Sequence, residues 1–123
     1  MNQRLDRLLV KKHPLLFADR YASMRDTAMC WGFECDNGWY KILKEAADQL
    51  ERLIVLEKAP ECHASQVKEK YGTLSFYMTC STDRMEKVIR RAERKSAITC
   101  ERCGKKGKLR GRGWYYTACN KHV

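Results

Sequence analysis

The 123-residue sequence lacks the hydrophobic segments that direct a chain to or across a membrane. Residues 1–10 carry several charges and no continuous apolar stretch, so they do not resemble a secretory signal peptide. No apolar run is long enough for a transmembrane helix, and we expect no membrane partner. Seven cysteines without an export signal argue against a secreted disulfide scaffold and favour metal-bound thiolates in a reducing cytoplasm.

Acidic residues are scarce in the last third of the chain. Residues 1–83 contain 12 Lys and Arg and 12 Asp and Glu, whereas residues 84–123 contain 13 and 3. The last forty residues therefore carry the whole net charge of +10. A neutral body with a strongly basic end is typical of proteins that bind a polyanion, most often nucleic acid. The alternative is a solvated basic surface without a specific partner.

Candidate catalytic groups are also few. His13 and His63 are the only histidines in the first hundred residues, and no paired carboxylates lie beside His63 in the sequence. His13 precedes Pro14, which ends a helix, so we place it in a loop rather than in a ligand set. The sequence therefore predicts that the protein is not an enzyme.

Four residues near the C-terminus have the spacing of a metal site. Cys100, Cys103, Cys119 and His122 read C-x2-C-x15-C-x2-H, and two residues between ligands let a tight turn aim both side chains at one ion. Gly104 follows the first pair, where such a turn often needs a positive φ. All four positions are filled by protein ligands, so the pattern predicts one structural zinc ion. The alternative is a set of ordinary buried cysteines.

The fold class is predicted to be α+β, with a helix and strand body at residues 1–97 and a zinc-binding module at residues 98–123. Apolar periodicity predicts helices over residues 2–12, 39–57 and 83–97. Asp83 is the expected cap of the third helix, and Asp36 or Asn37 that of the second. Alternating residues predict one or two strands within 67–79, with a turn or bulge at Tyr71 and Gly72.

The module is predicted to contain a hairpin between the two ligand pairs. Strand signals at residues 105–110 and 114–117 flank a glycine-rich loop at 111–113. Only Val123 follows His122, so the terminal helix of a treble-clef finger has no room to form. We therefore expect a zinc-ribbon-like or truncated treble-clef module.

The remaining cysteines offer a weaker second site. Cys30 and Cys35, together with Cys62, His63 or Cys80, contain enough ligands for another ion. Their spacing gives little support, and buried thiols acting as small apolar groups are the alternative.

The basic residues of the last third form the predicted binding surface. The third helix carries six cations and feeds directly into the module, whose loop adds five more. Aromatic residues beside the loop could stack on unpaired bases or, alternatively, cover the small metal core. The predicted contacts to nucleic acid or another partner are Arg84, Lys87, Arg90, Arg91, Arg94, Lys95, Lys105, Lys106, Lys108, Arg110, Arg112, Trp114 and Tyr115.

Three segments together resemble a protein family. They are CWGFECDNGWY at residues 30–40, QVKEKYGTLSFY at 66–77, and the terminal Cys and His set. In this order they are similar to small proteins of tailed phages and prophages that carry a C-terminal zinc module. The resemblance implies an accessory protein acting in the cytoplasm of a bacterial host, and it assigns no activity.

Two functions follow as expectations. The first is binding of nucleic acid, DNA or RNA, or of a nucleoprotein through the basic third, with weak sequence specificity because no base-reading helix stands out. The second is a protein-binding inhibitor or modulator of a host factor, for example a counter-defence protein, whose partner presents an acidic surface.

Overall fold

The computed structural model describes all 123 residues and shows an α+β fold, as the sequence predicts. Three predicted helices are present, each within one residue of its expected bounds, and none has the length and apolar character needed to cross a bilayer. The helices are α1 (Gln3–Lys12), α2 (Tyr40–Leu56) and α3 (Asp83–Ser96). The strands are β1 (Phe33–Glu34), β2 (Ala64–Lys70), β3 (Thr73–Met78), β4 (Lys108–Arg110) and β5 (Tyr116–Ala118).

Helix α2 supplies the centre of the core. Its apolar residues recur at helical spacing, and Leu43, Ala47 and Leu50 are fully shielded from solvent. Phe17 and Phe33 pack edge to face nearby, with ring centroids 4.9 Å apart. Burying a large apolar side chain contributes about 1.5–3 kcal/mol, so this cluster provides much of the free energy that holds the body together.

Strands β1, β2 and β3 form one sheet in that order, with β1 parallel and β3 antiparallel to β2. Tyr71 and Gly72, with φ of 53° and 89°, form the two-residue turn between β2 and β3. Positive φ at both positions gives the turn whose twist matches that of the strands. Of the turn and the bulge predicted at Tyr71 and Gly72, the turn is the one that forms. The irregularity in strand pairing lies between Ala64 and Gln66 instead.

Two predicted helix caps are wrong. Thr82 caps α3, because its hydroxyl accepts the N–H three residues on at 3.4 Å, and Asp83 is already the first helical residue. There the Asp83 carboxylate still lies close to the positive end of the helix dipole. Neither Asp36 nor Asn37 caps α2, because a 3₁₀ turn over Asn37–Trp39 leads directly into that helix.

His13 follows α1 as predicted, but it is buried against α2. Its Nδ1 lies 3.2 Å from Glu51 Oε2, and its Nε2 lies 2.9 Å from Asp48 Oδ1 at an angle that does not make a hydrogen bond. The other oxygen of Glu51 accepts the N–H groups of Leu15 and Leu16 at 2.7 and 3.0 Å. One carboxylate of α2 therefore holds the chain as it leaves α1.

A disulfide joins Cys62 and Cys80, whose Cα atoms are 4.8 Å apart. The two residues flank the open end of the β2–β3 hairpin, which brings them together although 18 positions separate them. The expectation of free thiols is therefore wrong for this pair. Disulfides are typical of oxidising compartments, so the cytoplasmic location stays a prediction.

The metal module, residues 98–123, contacts the body first at the turn before α2. The Gly38 N–H donates to the Glu101 carbonyl at 2.7 Å, and the Trp39 indole donates to the Thr99 carbonyl at 2.9 Å. A Cβ atom on Gly38 would lie 2.3 Å from the carbonyl oxygens of Cys100 and Glu101. Only glycine permits this approach of two backbones.

The second contact lies at the β2–β3 turn. The Thr117 hydroxyl donates to the Gly72 carbonyl at 2.6 Å, and both groups are buried. A Cβ atom on Gly72 would lie 2.5 Å from Leu109 of β4. The module is therefore held at one edge by the turn before α2 and at another by the tip of the body hairpin.

We expect Gly38→Ala to destabilise the protein by about 3 kcal/mol, because the added methyl overlaps backbone atoms and breaks the bond to Glu101. Thermal unfolding measures the loss, and amide exchange at residue 38 locates it. Gly113→Ala is the matched control: φ there is 78°, but a Cβ atom meets nothing within 4 Å. Its cost should be only about 1 kcal/mol. Equal costs for the two variants would contradict the close-approach explanation.

Candidate metal centre and basic surface

The first two ligands of the candidate metal centre lie on a tight turn after α3. The Cys100 N–H donates to the Lys105 carbonyl at 2.7 Å, and the Gly104 N–H donates to the Cys100 carbonyl at 2.9 Å. Gly104 has φ of 80°, the left-handed conformation expected after the first pair. The turn aims the sulfur atoms of Cys100 and Cys103 toward one point.

The second pair follows β5. The chain leaves the strand at Ala118 and enters a 3₁₀ turn over Asn120–His122, in which the His122 N–H donates to the Cys119 carbonyl at 3.1 Å. Pairing of β5 with β4 returns the chain to the first pair. The hairpin thus brings together ligands that lie far apart in the sequence.

The distances between ligand atoms fit one tetrahedral ion. The four atoms all lie within 4.8 Å of one another. Cys103 Sγ and Cys119 Sγ are 3.7 Å apart, and His122 Nδ1 lies 3.6 Å from Cys100 Sγ and 3.2 Å from Cys119 Sγ. Metal–sulfur bonds of about 2.3 Å and metal–nitrogen bonds of about 2.0–2.1 Å give tetrahedral edges of about 3.8 and 3.6 Å. The cluster could therefore hold one metal ion.

The backbone around Cys100 favours its thiolate. Burial raises the pKa of this thiol, but the N–H groups of Cys119, Cys103 and Arg102 point at the sulfur and lower the pKa to about 6. For Cys103, the Lys105 N–H lowers the pKa, but burial and the neighbouring sulfurs of Cys100 and Cys119 outweigh it and leave the pKa raised. A cation among these sulfurs would favour deprotonation of both groups.

The hairpin strands are shorter than predicted, and one of their cations has a structural role. Arg110 was expected to contact nucleic acid, but its Nε donates to the Ala118 carbonyl at 2.9 Å and its guanidinium donates to Asn120 Oδ1 at 2.8 Å. These bonds hold the loop that carries the second ligand pair. The other predicted cations of the loop are exposed and have no carboxylate partner: Lys105, Lys106, Lys108 and Arg112.

The aromatic residues of the module divide into two groups. Tyr116 is half-buried beside the buried residues Thr117 and Ala118, so it helps to cover the module interior. Trp114 and Tyr115 are exposed, by 79% and 44%. The covering role considered from the sequence therefore applies to Tyr116 and not to Trp114.

Helix α3 is amphipathic, and its outer side carries six exposed cations together with the exposed carboxylate of Asp83 in the first turn. Its inner side buries Met85, Ile89 and Ala92, and at 100° per residue the cations fall together on the opposite side. Of the 13 Lys and Arg residues in 84–123, only Lys95 has a carboxylate partner, Glu45 at 3.1 Å. The six exposed cations of this surface are Arg84, Lys87, Arg90, Arg91, Arg94 and Lys95.

A groove runs between α2 and α3. Near the start of α3 it widens to a cavity of about 300 Å³ lined by Arg52, Arg84, Lys87 and Arg91, with no acidic residue. A narrow furrow past Gln49 and Glu45 then joins this cavity to a second hollow. The second hollow is lined by Lys41, Glu45, Cys103 and Gly104, among others, so the groove ends beside the metal centre.

Sequence reasoning missed three residues of these surfaces. Arg52 and Lys41 lie on α2, which was read only as a core helix with a solvated outer face, and Tyr71 was read as a turn residue. The pairing of α2 with α3 and the docking of the module place them beside the predicted cations and aromatics. No local pattern in the sequence carries that information.

A second metal site from the remaining cysteines does not form as considered. Cys30 and Cys35 are free thiols with no third ligand beside them, and burial raises the pKa of Cys35 to about 12. Cys35 is therefore a neutral buried thiol, the alternative that was left open. Glu61 lies beside Cys62 and Cys80, but the two sulfurs are bonded to each other.

The structure pairs each body histidine with carboxylates that the sequence did not reveal. Besides His13, His63 has its Nε2 2.8 Å from Asp19 Oδ2 and its Nδ1 3.0 Å from the Glu61 carbonyl. His63 is adjacent in sequence to Cys62 of the disulfide. That the protein is not an enzyme stays a prediction.

Comparisons with protein-family models, curated proteins and solved structures found no match for this chain. The resemblance to tailed-phage and prophage proteins therefore stays a prediction. The geometry of the metal centre and the charge of the α2–α3 groove carry the functional argument.

Replacement of one ligand should release the metal. We expect Cys103→Ser to lose bound metal and to unfold the module, since metal binding there contributes folding free energy on the order of 10 kcal/mol. Metal content by mass spectrometry and thermal unfolding provide the measurements. Cys30→Ser, at a free thiol outside the cluster, is the control and should keep both the metal and the stability. A Cys103→Ser protein with full metal content would refute the ligand assignment.

Proposed function

We propose that the protein binds nucleic acid, free or within a nucleoprotein, along the α2–α3 groove and the adjoining metal module. The observation that carries this proposal is the convergence of Arg52, Arg84, Lys87 and Arg91 around one cavity without a carboxylate. Like charges around one cavity repel one another. A polyanion in the groove would reduce this repulsion and would also form favourable contacts with the cations.

The dimensions of the surface favour an extended ligand. Helix α3 has 14 residues and is about 21 Å long. The cations along it repeat at intervals of three or four residues and continue at Lys41 and the module loop. A single small anion would occupy only one end of this surface, whereas a nucleic acid backbone would place successive phosphates along it.

Contacts of this kind predict strong salt dependence and weak sequence specificity. Lys and Arg that meet phosphates release condensed counterions, and the logarithm of affinity falls with the logarithm of salt concentration by about 0.9 per contact on duplex DNA. Phosphate contacts position a protein on nucleic acid without reading bases. The basic surface of α3 therefore supports general rather than site-specific binding.

We propose that the ion of the metal centre is a single structural zinc. Three thiolates and one imidazole in tetrahedral arrangement are a preferred zinc ligand set, and four protein ligands leave no position for a substrate. The short β4–β5 hairpin between the ligand pairs is compatible with a ribbon-like module. In this role the ion holds the basic loop against the body.

The cellular setting is proposed from the sequence resemblance. Under it, the protein is a phage accessory protein that acts in the cytoplasm of a bacterial host on viral or host nucleic acid. A solvated basic surface with no partner explains the cavity less well than a binding site does. Cations that serve only solubility need not gather around one cavity, as Arg52, Arg84, Lys87 and Arg91 do.

The triple variant Arg84→Glu, Lys87→Glu, Arg91→Glu tests the proposal. We expect roughly 100-fold weaker binding to single- or double-stranded DNA and RNA at low salt, because attraction to phosphates becomes repulsion. The slope of log affinity against log salt should fall by about 3, one unit for each lost contact. Fluorescence anisotropy over a salt series measures both quantities.

The matched control is Arg4→Glu, Arg7→Glu, Lys11→Glu on α1. These cations are also exposed and without carboxylate partners, and the net charge changes by the same amount. If both triple variants weaken binding equally, net charge rather than the groove determines affinity. If the wild-type protein binds no nucleic acid, the alternative applies, in which the basic surface binds a protein partner with an acidic surface. Binding of that partner should largely persist when heparin is added as a competitor.

A further inference from the structure

The body hairpin and the module loop form a small cleft with aromatic walls. Tyr71 from the β2–β3 turn lies on one side, and Trp114 and Tyr115 from the β4–β5 loop lie on the other. The cleft has a volume of about 240 Å³, and the remaining lining residues are Glu69, Lys70 and Gly113. We call it the aromatic cleft.

Its walls are unusually open to solvent. Tyr71 and Trp114 are 75% and 79% exposed, although large aromatic side chains normally contribute to a core or an interface. They are not part of the module interior, which contains the buried residues Thr117 and Ala118 and the half-buried Tyr116. Two such exposed rings in one cleft offer a surface on which a flat apolar group can stack.

The separation of the two walls is fixed by the docking of the module. The Thr117 hydroxyl bonds to the Gly72 carbonyl, and Leu109 packs where a side chain at position 72 would lie. The Glu69 carboxylate accepts the Gly72 N–H at 2.6 Å and so supports the turn that carries Tyr71. A preformed cleft binds a planar group with little loss of conformational entropy.

The charges around the cleft select which part of a nucleic acid enters it. Glu69 lines the cleft and repels a phosphate, which favours a neutral group between the rings. Lys70 also lines the cleft and lies over the Tyr71 ring, with Nζ 5.9 Å from the centroid, and Arg112 adjoins Gly113 in the loop. Neither cation has a carboxylate partner, so both remain available to flanking phosphates.

The cleft also lies at the end of the basic helix. The Leu74 N–H donates to Ser96 Oγ in the last turn of α3 at 2.8 Å, and Tyr71 is only three residues before Leu74. The turn that carries Tyr71 is therefore tied to the carboxyl end of α3, the helix that carries the six exposed cations.

From these contacts we infer that the aromatic cleft binds an unpaired nucleobase by stacking, so that single-stranded nucleic acid is the preferred ligand. The inference rests on the proposed function and adds the ligand class to it. Bases paired in a duplex are stacked on their neighbours and cannot enter between Tyr71 and Trp114. Stacking on an aromatic side chain also tolerates any base, in keeping with weak sequence specificity.

The experiment compares two single strands of equal length, oligodeoxythymidylate and the corresponding abasic oligonucleotide. It uses the Trp31→Phe protein, in which Trp114 is the only exposed tryptophan, since Trp39 is fully buried. Both strands should bind, because both carry phosphates. Only the strand with bases should quench the Trp114 fluorescence, and it should bind roughly 5- to 150-fold more tightly, the range expected for stacking of one base.

Two variants remove the walls of the cleft. Trp114→Ala and Tyr71→Asn should each remove most of the preference for the base-containing strand and leave affinity for the abasic strand unchanged. Asparagine is chosen at position 71 because it tolerates the positive φ of the turn. Trp31→Ala in the otherwise unchanged protein is the control, since it removes a large exposed aromatic outside the cleft. Metal content verifies that each variant keeps its module.

The outcomes separate the two claims. Equal affinity for both strands, with no selective quenching, overturns the nucleobase site and leaves the phosphate-binding groove intact. Failure to bind either strand at low salt overturns the proposed function and the cleft together. A preference for the base-containing strand that persists in Trp114→Ala and Tyr71→Asn also overturns the site.

Discussion

The rest of the structure depends on the backbone contact between Gly38 and Glu101. At this point two main chains meet without an intervening side chain, and the turn that carries Cys100 and Cys103 is held against the start of α2. The contact orients the first ligand pair of the candidate metal centre, and the second pair lies beside it at the end of the hairpin that reaches the tip of the body sheet. The small module can thus be ordered although it has little apolar surface of its own, because it shares the rigidity of the larger core.

Local patterns in the sequence were sufficient for some parts of the site and fold. The spacing of Cys100, Cys103, Cys119 and His122 predicted the cluster, because each pair lies on one turn and the hairpin between them is short. Helical periodicity located α1, α2 and α3 closely, since one side of each helix is buried. The zinc identity and the nucleic acid partner are inferences from the chemistry of these groups.

Other features depend on contacts between distant segments, and no local pattern reports them. Arg52 joins the basic cavity only because α2 packs along α3, and Tyr71 becomes a cleft wall only when the module docks on its turn. The Cys62–Cys80 bond follows from the register of β2 and β3. Arg110 was predicted only as a contact to the partner, because nothing in its neighbourhood in the sequence reveals the carbonyl and amide that it bonds.

The disulfide at the open end of the body hairpin has a practical consequence for handling the protein. Cysteine thiolates that hold a metal survive best in the presence of a reductant, since oxidation removes them as ligands. The Cys62–Cys80 bond has the opposite requirement, because added thiol cleaves it by exchange. The same β2–β3 hairpin is bonded to the oxidised pair at one end and to the metal module at the other. A buffer that contains thiol therefore protects the cysteines of the metal centre but exposes the Cys62–Cys80 bond to reduction, and a buffer without thiol has the opposite effect. Samples prepared in the two buffers are chemically different proteins.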